Sequence, residues 1–234
     1  FSDPAFWQSF RFTLMFVIIS VPLEIVLGLL FALLLNERLP FRGTLRAFVL
    51  IPWAIPAAIS GRIWELIYNY HYGLANFLFM GLGLSAMPIN WLGSEPVAFA
   101  ALVISDVWKT SPFVAIILLA GLQAIPQELY EQGKVDGANL ARRFWMITLP
   151  LLKPVVVVAL LFRTIDGLRI FDLVYVLTHG GPGGATSSLS LYAYRYYLGG
   201  DFGYGSAVSI VLFIVAFALS VFYVRLSRFG SVVK

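Results

Sequence analysis

Two clusters of ionisable and polar residues interrupt otherwise apolar stretches of this 234-residue chain. The first contains Asp106, Lys109 and Thr110, and the second contains Arg163, Asp166, Gly167 and Arg169. The members of each cluster lie within one helical turn or so of each other, and residues three or four apart are neighbours on a helix. Charges in an apolar helix mark either a polar pathway or a paired structural site. Intrahelical pairing of Asp106 with Lys109 and of Arg163 with Asp166 keeps the second interpretation open.

Covalent chemistry has little support in the sequence. Cysteine is absent, and the 2 histidines, His71 and His179, are far apart, so we expect neither a metal site nor a thiol nucleophile. No G-x-x-x-x-G-K-[ST] motif occurs, and the glycine-rich residues 180–188 lack its lysine. We therefore expect a chain that is not an enzyme, binds no cofactor and does not hydrolyse ATP by itself.

The composition is typical of a membrane protein. Hydrophobic residues make up 60% of the chain and charged residues 12%, whereas soluble domains carry roughly 25% charged residues. Long unbroken apolar runs favour helices over the alternating strands of a membrane barrel. The sequence predicts an all-α, polytopic transmembrane helical bundle that forms one transmembrane domain over residues 1–234. Its five predicted spans are residues 13–36, 45–68, 96–122, 149–171 and 204–224.

The distribution of lysine and arginine predicts how the bundle is oriented. One set of loops and tails holds ten of the 16 basic residues, and the opposite set holds only Arg11 and Arg195. Because basic residues accumulate on the cytoplasmic side, the C-terminus is predicted to be cytoplasmic, in a cell (inner) membrane. This bias also explains the net charge of +4 without a nucleic acid. The ten are Arg38, Arg42, Arg46, Lys134, Arg142, Arg143, Lys153, Arg225, Arg228 and Lys234.

Local signals refine this bundle. Proline removes a backbone donor, so Pro52, Pro56 and Pro112 predict kinks within two of the spans. Residues 1–12 are interpreted as an external loop that leads into the first helix. Since this loop opens the sequence and its first residue is not Met, a sixth, N-terminal span is expected to be missing.

The predicted cytoplasmic loop over residues 123–149 is too long for a simple connection. Pro126 suits the first turn of a short helix, and Gly137 suits a left-handed turn that ends it. Ile125, Leu129 and Val135 give this helix an apolar side. A second short helix is predicted over residues 139–148, before the next span. An amphipathic segment lying flat on the membrane surface is the alternative.

This loop resembles the EAA signature of the membrane subunits of ABC importers. Glu131, Gly137, Ile147, Leu149 and Pro150 stand at the spacings of that signature, while Gln132-Gly133 replaces its Ala-Ala. Three further segments resemble the carbohydrate-uptake branch of the same permeases, so the likeness covers nearly the whole chain. These segments are residues 51–56, 108–113 and 177–182.

The resemblance implies a type I ABC importer permease that couples to ATP hydrolysis elsewhere. Two ATP-binding cassette subunits would hold ATP and Mg²⁺, and a second homologous permease subunit and an external solute-binding protein would complete the importer. The residues that the resemblance assigns to ATPase coupling are Glu131, Gln132, Gly133, Asp136, Gly137 and Ala138. A short helix with carboxylates at its start and a flexible glycine at its end would allow movement of the ATPase subunits to rock the attached spans.

The resemblance also implies a sugar as substrate, a di- or oligosaccharide of the trehalose or maltose type. In the carbohydrate-uptake branch, the positions that match Lys109, Thr110, Phe113, Arg163, Gly167 and Ile170 contact sugar. Together with Asp106 and Asp166 they form the predicted substrate pathway in the lipid bilayer. A permease for glycerol phosphate or a polyamine, and an ion-coupled secondary carrier, remain alternatives.

Overall fold

The computed structural model of the protein describes residues 2–37 and 40–229, with side chains described as far as residue 225. All regular elements in these ranges are helical. They are α1 (Pro4–Asn36), α2 (Arg42–Ala54), α3 (Ala57–Ile67), α4 (Leu74–Gly81), α5 (Glu95–Gln123), α6 (Gln127–Val135), α7 (Leu140–Arg143), a π-helical turn (Phe144–Thr148), α8 (Leu149–Leu168), α9 (Asp172–Leu177), α10 (Leu189–Leu198) and α11 (Phe202–Phe229).

Four helices of the described chain are long and apolar enough to cross a membrane, and a fifth crossing is possible if α2 and α3 act as one broken span. This confirms an all-helical bundle with four to five spans. Helix α1 packs along α5, and both contact α8. At Gly28 a β-carbon would lie 2.5 Å from the Val114 side chain, so glycine permits the close approach of α1 and α5. Helix α11 packs on α8 and α10 but exposes most of its apolar surface.

The first helix begins earlier than the sequence predicted. The segment interpreted as an external loop is helical from Pro4 onwards, while Phe1 lies outside the described residues. Asp3 is the reason, because its carboxylate accepts a hydrogen bond from the Ala5 amide at 2.9 Å and Pro4 occupies the first helical position. This combination is a strong start signal for a helix.

The second predicted span is divided in two. Helices α2 and α3 meet at an angle of 90°. Ile55 is extended, with φ −70° and ψ 129°, and Pro56 precedes α3. Since proline disfavours helical geometry in the residue before it, Pro56 explains the break. Pro52 and Pro112, by contrast, lie within helices that continue past them.

The fourth span also differs from its prediction. The segment 139–148, predicted as a separate short helix, is continuous with α8, so that one helix covers Leu140–Leu168. The π-helical turn ends two residues before Pro150. A wider turn accommodates a proline ring that would otherwise clash with the carbonyl four residues earlier. At its far end α8 stops at Leu168, and α9 follows within the segment predicted as an external loop.

Three of the ten basic residues that predict the orientation lie, wholly or with their side chains, outside the described part of the chain. Arg38 and Lys234 lie outside the described residues, as does the side chain of Arg228.

Candidate coupling segment and translocation face

Helix α6 ends in a glycine elbow, as the sequence predicted. Gly137 has a φ of +76°, a left-handed conformation that side chains rarely adopt. Its amide donates to the Lys134 carbonyl at 3.0 Å, and the Ala138 amide donates to the Gly133 carbonyl at 2.8 Å. These two hydrogen bonds form a Schellman motif, which fixes the direction of the chain after the helix.

One side of α6 packs against the start of the following long helix. The Tyr130 hydroxyl lies 3.1 Å from the Thr148 hydroxyl. A β-carbon at Gly133 would lie 3.1 Å from the Ile147 side chain. Glycine in place of the alanine of the EAA signature therefore allows close contact between the two helices.

The opposite side of α6 is exposed and acidic. A shallow depression of about 540 Å³ is lined by Glu128, Glu131, Gln132, Val135 and Asp136. Val135, which the sequence assigned to the apolar side, is 89% exposed and belongs to this acidic edge. The edge offers carboxylates and one apolar side chain to a binding surface.

A single helix connects the elbow to the second cluster of charges. Asn139 caps this helix by accepting a hydrogen bond from the Arg142 amide at 2.8 Å. The helix then runs without a break through Leu168 and carries Arg163 and Asp166. A displacement of α6 and its elbow can therefore be transmitted as a movement of one rigid rod.

Arg163 is the centre of a buried ionic network that joins three helices. Its Nε donates to Glu24 of α1 at 2.6 Å, and its Nη2 donates to Asp106 of α5 at 3.3 Å. The predicted pair with Asp166 is present at 3.1 Å, and Asp166 also binds Arg169 at 2.6 Å. Glu24 is completely buried. Pairing offsets the cost of removing these charges from water and so holds α1, α5 and α8 together.

Most of the predicted pathway residues are buried within this chain. Thr110 donates to the Asp106 carbonyl at 2.7 Å, and Gly167 allows close packing of α8 on Val17 of α1. Ile170 belongs to an apolar core. Asp106 and Arg163 are occupied by the ionic network, so five of the eight predicted residues face the interior of the described structure.

The other three predicted pathway residues lie on a partly exposed face formed by α2, α5 and α8. Lys109 does not pair with Asp106. Its ammonium group donates to the Ile55 carbonyl at 2.5 Å and to the Trp53 carbonyl at 3.3 Å, where α2 ends at the 90° bend. The Trp53 ring stacks on Phe113 with centroids 5.6 Å apart. Lys109 thus holds the end of α2, and Trp53 with it, against α5.

The aromatic residues of this face continue onto α8. Phe162 meets Phe113 edge to face at 6.4 Å, and Trp53 and Phe162 are about half exposed at 49% and 51%. Asp166 follows Phe162 by one helical turn, and its carboxylate is partly exposed. We call Trp53, Lys109, Phe113, Phe162 and Asp166 the translocation face.

Three functional candidates were missed in the sequence. Glu24 is not among the predicted pathway residues, although a carboxylate in an apolar helix needs a partner and Arg163 is one of the few cations within a span. Phe162 has no sequence signal that separates it from lipid-facing aromatic residues, and Trp53 has only its place in the segment 51–56. Arg62 and Glu65 form a local pair at 2.6 Å, as residues three apart on a helix can.

The start of α1 is fastened to α10 and α11 by tyrosines. The Tyr192 hydroxyl donates to the Asp3 carboxylate, and Tyr196 donates to the same oxygen at 3.2 Å. The hydrogen bond from Tyr192, more than any other interaction, holds the pKa of Asp3 below its ordinary value. The Tyr204 hydroxyl lies 3.2 Å from that of Tyr192.

The helical membrane bundle, the exposed short helix and the glycine elbow agree with the resemblance to the permease class of ABC importers. The chain belongs to the family of binding-protein-dependent transport system inner membrane components, which its residues 24–229 match. It is a multi-pass membrane protein and a transport subunit, not an enzyme.

Two curated relatives are sugar permeases. The trehalose/maltose transport system permease protein MalF of Thermococcus litoralis is 59% identical over 224 residues, which are 96% of this chain and 75% of the relative. The trehalose transport system permease protein SugA of Mycobacterium tuberculosis is 38% identical over 231 residues, with coverage of 98% and 72%.

The fold also matches solved structures. A chain of a bacterial ABC transporter that imports the acidic polysaccharide alginate superposes with a TM-score of 0.88 at 25% identity, over 100% of this chain and 82% of the other. A second structure of an alginate transporter, in complex with an alginate-loaded periplasmic protein, superposes with a TM-score of 0.87, also at 25% identity, over 97% of this chain and 80% of the other.

Proposed function

We propose that this permease subunit forms one half of the membrane pathway for a disaccharide of the trehalose or maltose type. An external binding protein delivers the sugar, and a second homologous permease subunit forms the other half. Two ATP-binding cassette subunits, each holding ATP and Mg²⁺, drive the cycle from the cytoplasmic side, where the C-terminus also lies. The identities of the relatives support the substrate class.

The observation that carries this proposal is the continuous connection from α6 to the ionic network. About 23 residues of helix separate the elbow from Arg163, a distance of about 35 Å at 1.5 Å per residue. An ATPase that moves α6 therefore moves Arg163 and Phe162 with it. Rigid-body motion of this kind is how a transporter alternates access to a central site.

The acidic edge of α6 suits a protein partner. Glu131 in the middle of α6 and Asp136 directly after it are exposed, and Val135 between them is almost fully exposed. In the proposed complex this edge seats in a cleft of the ATPase that offers basic groups and an apolar contact. Gly137 then acts as the pivot between the seated helix and the rod.

The translocation face is proposed to line the pathway rather than to contact lipid. Lys109 and Asp166 are partly exposed there, and Arg169, which pairs with Asp166, is largely exposed. Exposing charged groups to hydrocarbon costs about 2.5–3.5 kcal/mol each, so the face requires water or a partner. Trp53, Phe113 and Phe162 offer aromatic surfaces to the C–H faces of a sugar, and Lys109 positions Trp53 for that contact.

The coupling role is tested by replacing Glu131 with alanine in the complete importer, reconstituted in proteoliposomes. We expect ATP-dependent uptake of radiolabelled trehalose or maltose to fall by about tenfold, because a charge-assisted contact with the ATPase is lost. Membrane insertion should be unchanged, since Glu131 is exposed and its side chain makes no hydrogen bond or ion pair within the described residues.

Glu95 provides a matched control for this experiment, because it is an exposed carboxylate in the first turn of α5. Glu95→Ala should transport like the wild type. Uptake that proceeds without ATP would indicate a secondary carrier. Uptake of glycerol phosphate or a polyamine, with no uptake of sugar, would contradict the proposed substrate.

The translocation face is tested by cysteine labelling, for which the chain supplies no background because it lacks cysteine. We expect Trp53→Cys in the assembled importer to react with a water-soluble maleimide, since the face opens to water. Trehalose, delivered by the binding protein in the presence of ATP and vanadate, should slow the reaction about fivefold by covering the site.

Phe213→Cys is the control for lipid exposure. Phe213 is 67% exposed and stacks with Phe217 on α11. A thiol in hydrocarbon stays protonated and reacts slowly. Equal labelling of the two variants, or labelling of Trp53→Cys that trehalose leaves unchanged, would remove Trp53 from the pathway.

A further inference from the structure

A polar cavity lies at the end of the bundle that the basic residues predict to be cytoplasmic. Its volume is about 830 Å³. The ends of α1 and α5, the start of α2, and helices α6 and α7 surround it, and none of the translocation face lines it. The charged residues in its lining are Glu37, Arg42, Lys134 and Arg143, so positive charge exceeds negative charge by two.

The cations of this cavity form no ion pair with a carboxylate in the part of the chain that the structure describes. Within residues 2–37 and 40–225, neither Arg42, Lys134 nor Arg143 forms an ion pair. The Nε atom of Arg143 is shielded from water and makes no hydrogen bond in that part of the chain. The same holds for Nε and Nη2 of Arg46, which follows Arg42 by one turn of α2. The cavity therefore holds positive charge that no ion pair within the described chain neutralises, which favours an anionic group from outside it.

Neutral donors complete the lining. The hydroxyl groups of Tyr130 and Thr148 lie on one wall, and the side chains of Asn36 and Gln123 lie on others. Cations and hydroxyl donors that converge on one cavity suit a phosphate group, whose oxygens accept hydrogen bonds from both.

Exposed apolar residues are close in sequence to the cations of the cavity, and one of them, Leu140, lines it. Phe41 immediately precedes Arg42, and Leu140, Trp145 and Met146 flank Arg143 along α7 and the π-helical turn. All four side chains are at least 64% exposed. Tryptophan and other large apolar residues next to cations are typical of the boundary between headgroups and acyl chains. A ligand with a phosphate and two hydrocarbon tails satisfies both the cavity and its apolar surroundings.

The geometry points to a binding site for the headgroup of an anionic phospholipid in this cavity. Arg42, Lys134 and Arg143 bind the phosphate, and the acyl chains lie along Phe41 and Trp145. The walls belong to α1, α2, α5, α6 and α7. The lipid therefore joins the ends of the membrane helices α1, α2 and α5 to α6 and α7, which lie on either side of the glycine elbow. The site takes a membrane component, not the transported solute.

Native mass spectrometry of the assembled importer tests this site, with phosphatidylglycerol or phosphatidylcholine added in detergent. We expect phosphatidylglycerol to be retained in preference. The double variant Arg42→Gln/Arg143→Gln should weaken its affinity about thirtyfold, since each basic residue contributes about one fivefold step to binding of an anionic headgroup.

The double variant Arg142→Gln/Lys153→Gln is the matched control, because it removes the same charge from exposed residues that do not line the cavity. It should retain phosphatidylglycerol like the wild type. Equal loss in both double variants would overturn a specific site. Displacement of the lipid by inorganic phosphate would indicate a free anion as the occupant, and failure of the assembled importer to retain any phosphatidylglycerol would exclude a lipid from the cavity. Either result would also overturn the proposal.

Discussion

Replacing Arg163 by methionine is expected to lower the free energy of unfolding by about 3–5 kcal/mol. Removal of one partner from a buried ion pair leaves the other charge without compensation in a medium of low polarity. Glu24 would be left with no exposure to water, and Asp106 would lose its partner on α8. Thermal unfolding of the purified importer in detergent, followed by tryptophan fluorescence, measures this loss.

Arg169 offers a matched control on the same helix. Its side chain is 70% exposed and pairs only with Asp166 among the described residues. Arg169→Met should cost less than about 1 kcal/mol, because exposed ion pairs contribute little. Addition of Glu24→Gln to Arg163→Met should recover part of the stability, since it removes the uncompensated carboxylate. If the two single variants are equally stable, the network does not hold the three helices together.

Replacing Gly137 by proline is expected to abolish ATP-driven uptake. Proline fixes φ near −65°, whereas the elbow requires +76°. It also removes the amide that donates to the Lys134 carbonyl and disfavours the near-helical geometry of Asp136. The local cost is about 3 kcal/mol or more. We expect the elbow to reorient and α6 to leave its position against Ile147.

Uptake into proteoliposomes and co-purification of the ATPase are the measurements for this variant. Gly137→Asn is the control, because asparagine tolerates left-handed geometry and keeps the amide. It should retain most of the uptake and all of the bound ATPase. Normal uptake by Gly137→Pro would show that the elbow is not the pivot.

The features that depend on local chemistry could be predicted from the sequence. Apolar length predicted the spans, and Gly137 predicted the elbow because few other residues adopt its geometry. The exposed pair of Arg62 and Glu65 was also predictable, since residues three apart on a helix are neighbours.

Features that depend on contacts distant in sequence were not predictable in the same way. Lys109 had a near neighbour in Asp106, yet it binds the carbonyls at the end of α2, because the 90° bend leaves those groups without amide partners. For the break between α2 and α3 the sequence offered two prolines, Pro52 and Pro56. Only Pro56 interrupts the helix. Helices α7 and α8 are continuous because a π-helical turn connects them, and no residue pattern predicts such a turn.

The candidate pathway was only partly predictable for a similar reason. Phe113 and Trp53 are 60 positions apart, and stacking between them requires the bend to fold α2 against α5. Burial of Thr110, Gly167 and Ile170 reflects packing of α5, α8 and the segment after it on α1 and its neighbours. A helix sequence alone does not show which side such neighbours occupy.

The ionic network has a consequence for biogenesis. Glu24 and Arg163 are 139 positions apart, so the carboxylate enters the translocon long before its counter-ion has been synthesised. At about 5–20 residues per second, the ribosome needs roughly 7 to 28 s to close that interval. We therefore expect the first described helix to stay beside the insertion machinery until the later helix arrives. Release of the nascent bundle into lipid is thereby tied to a late event in translation.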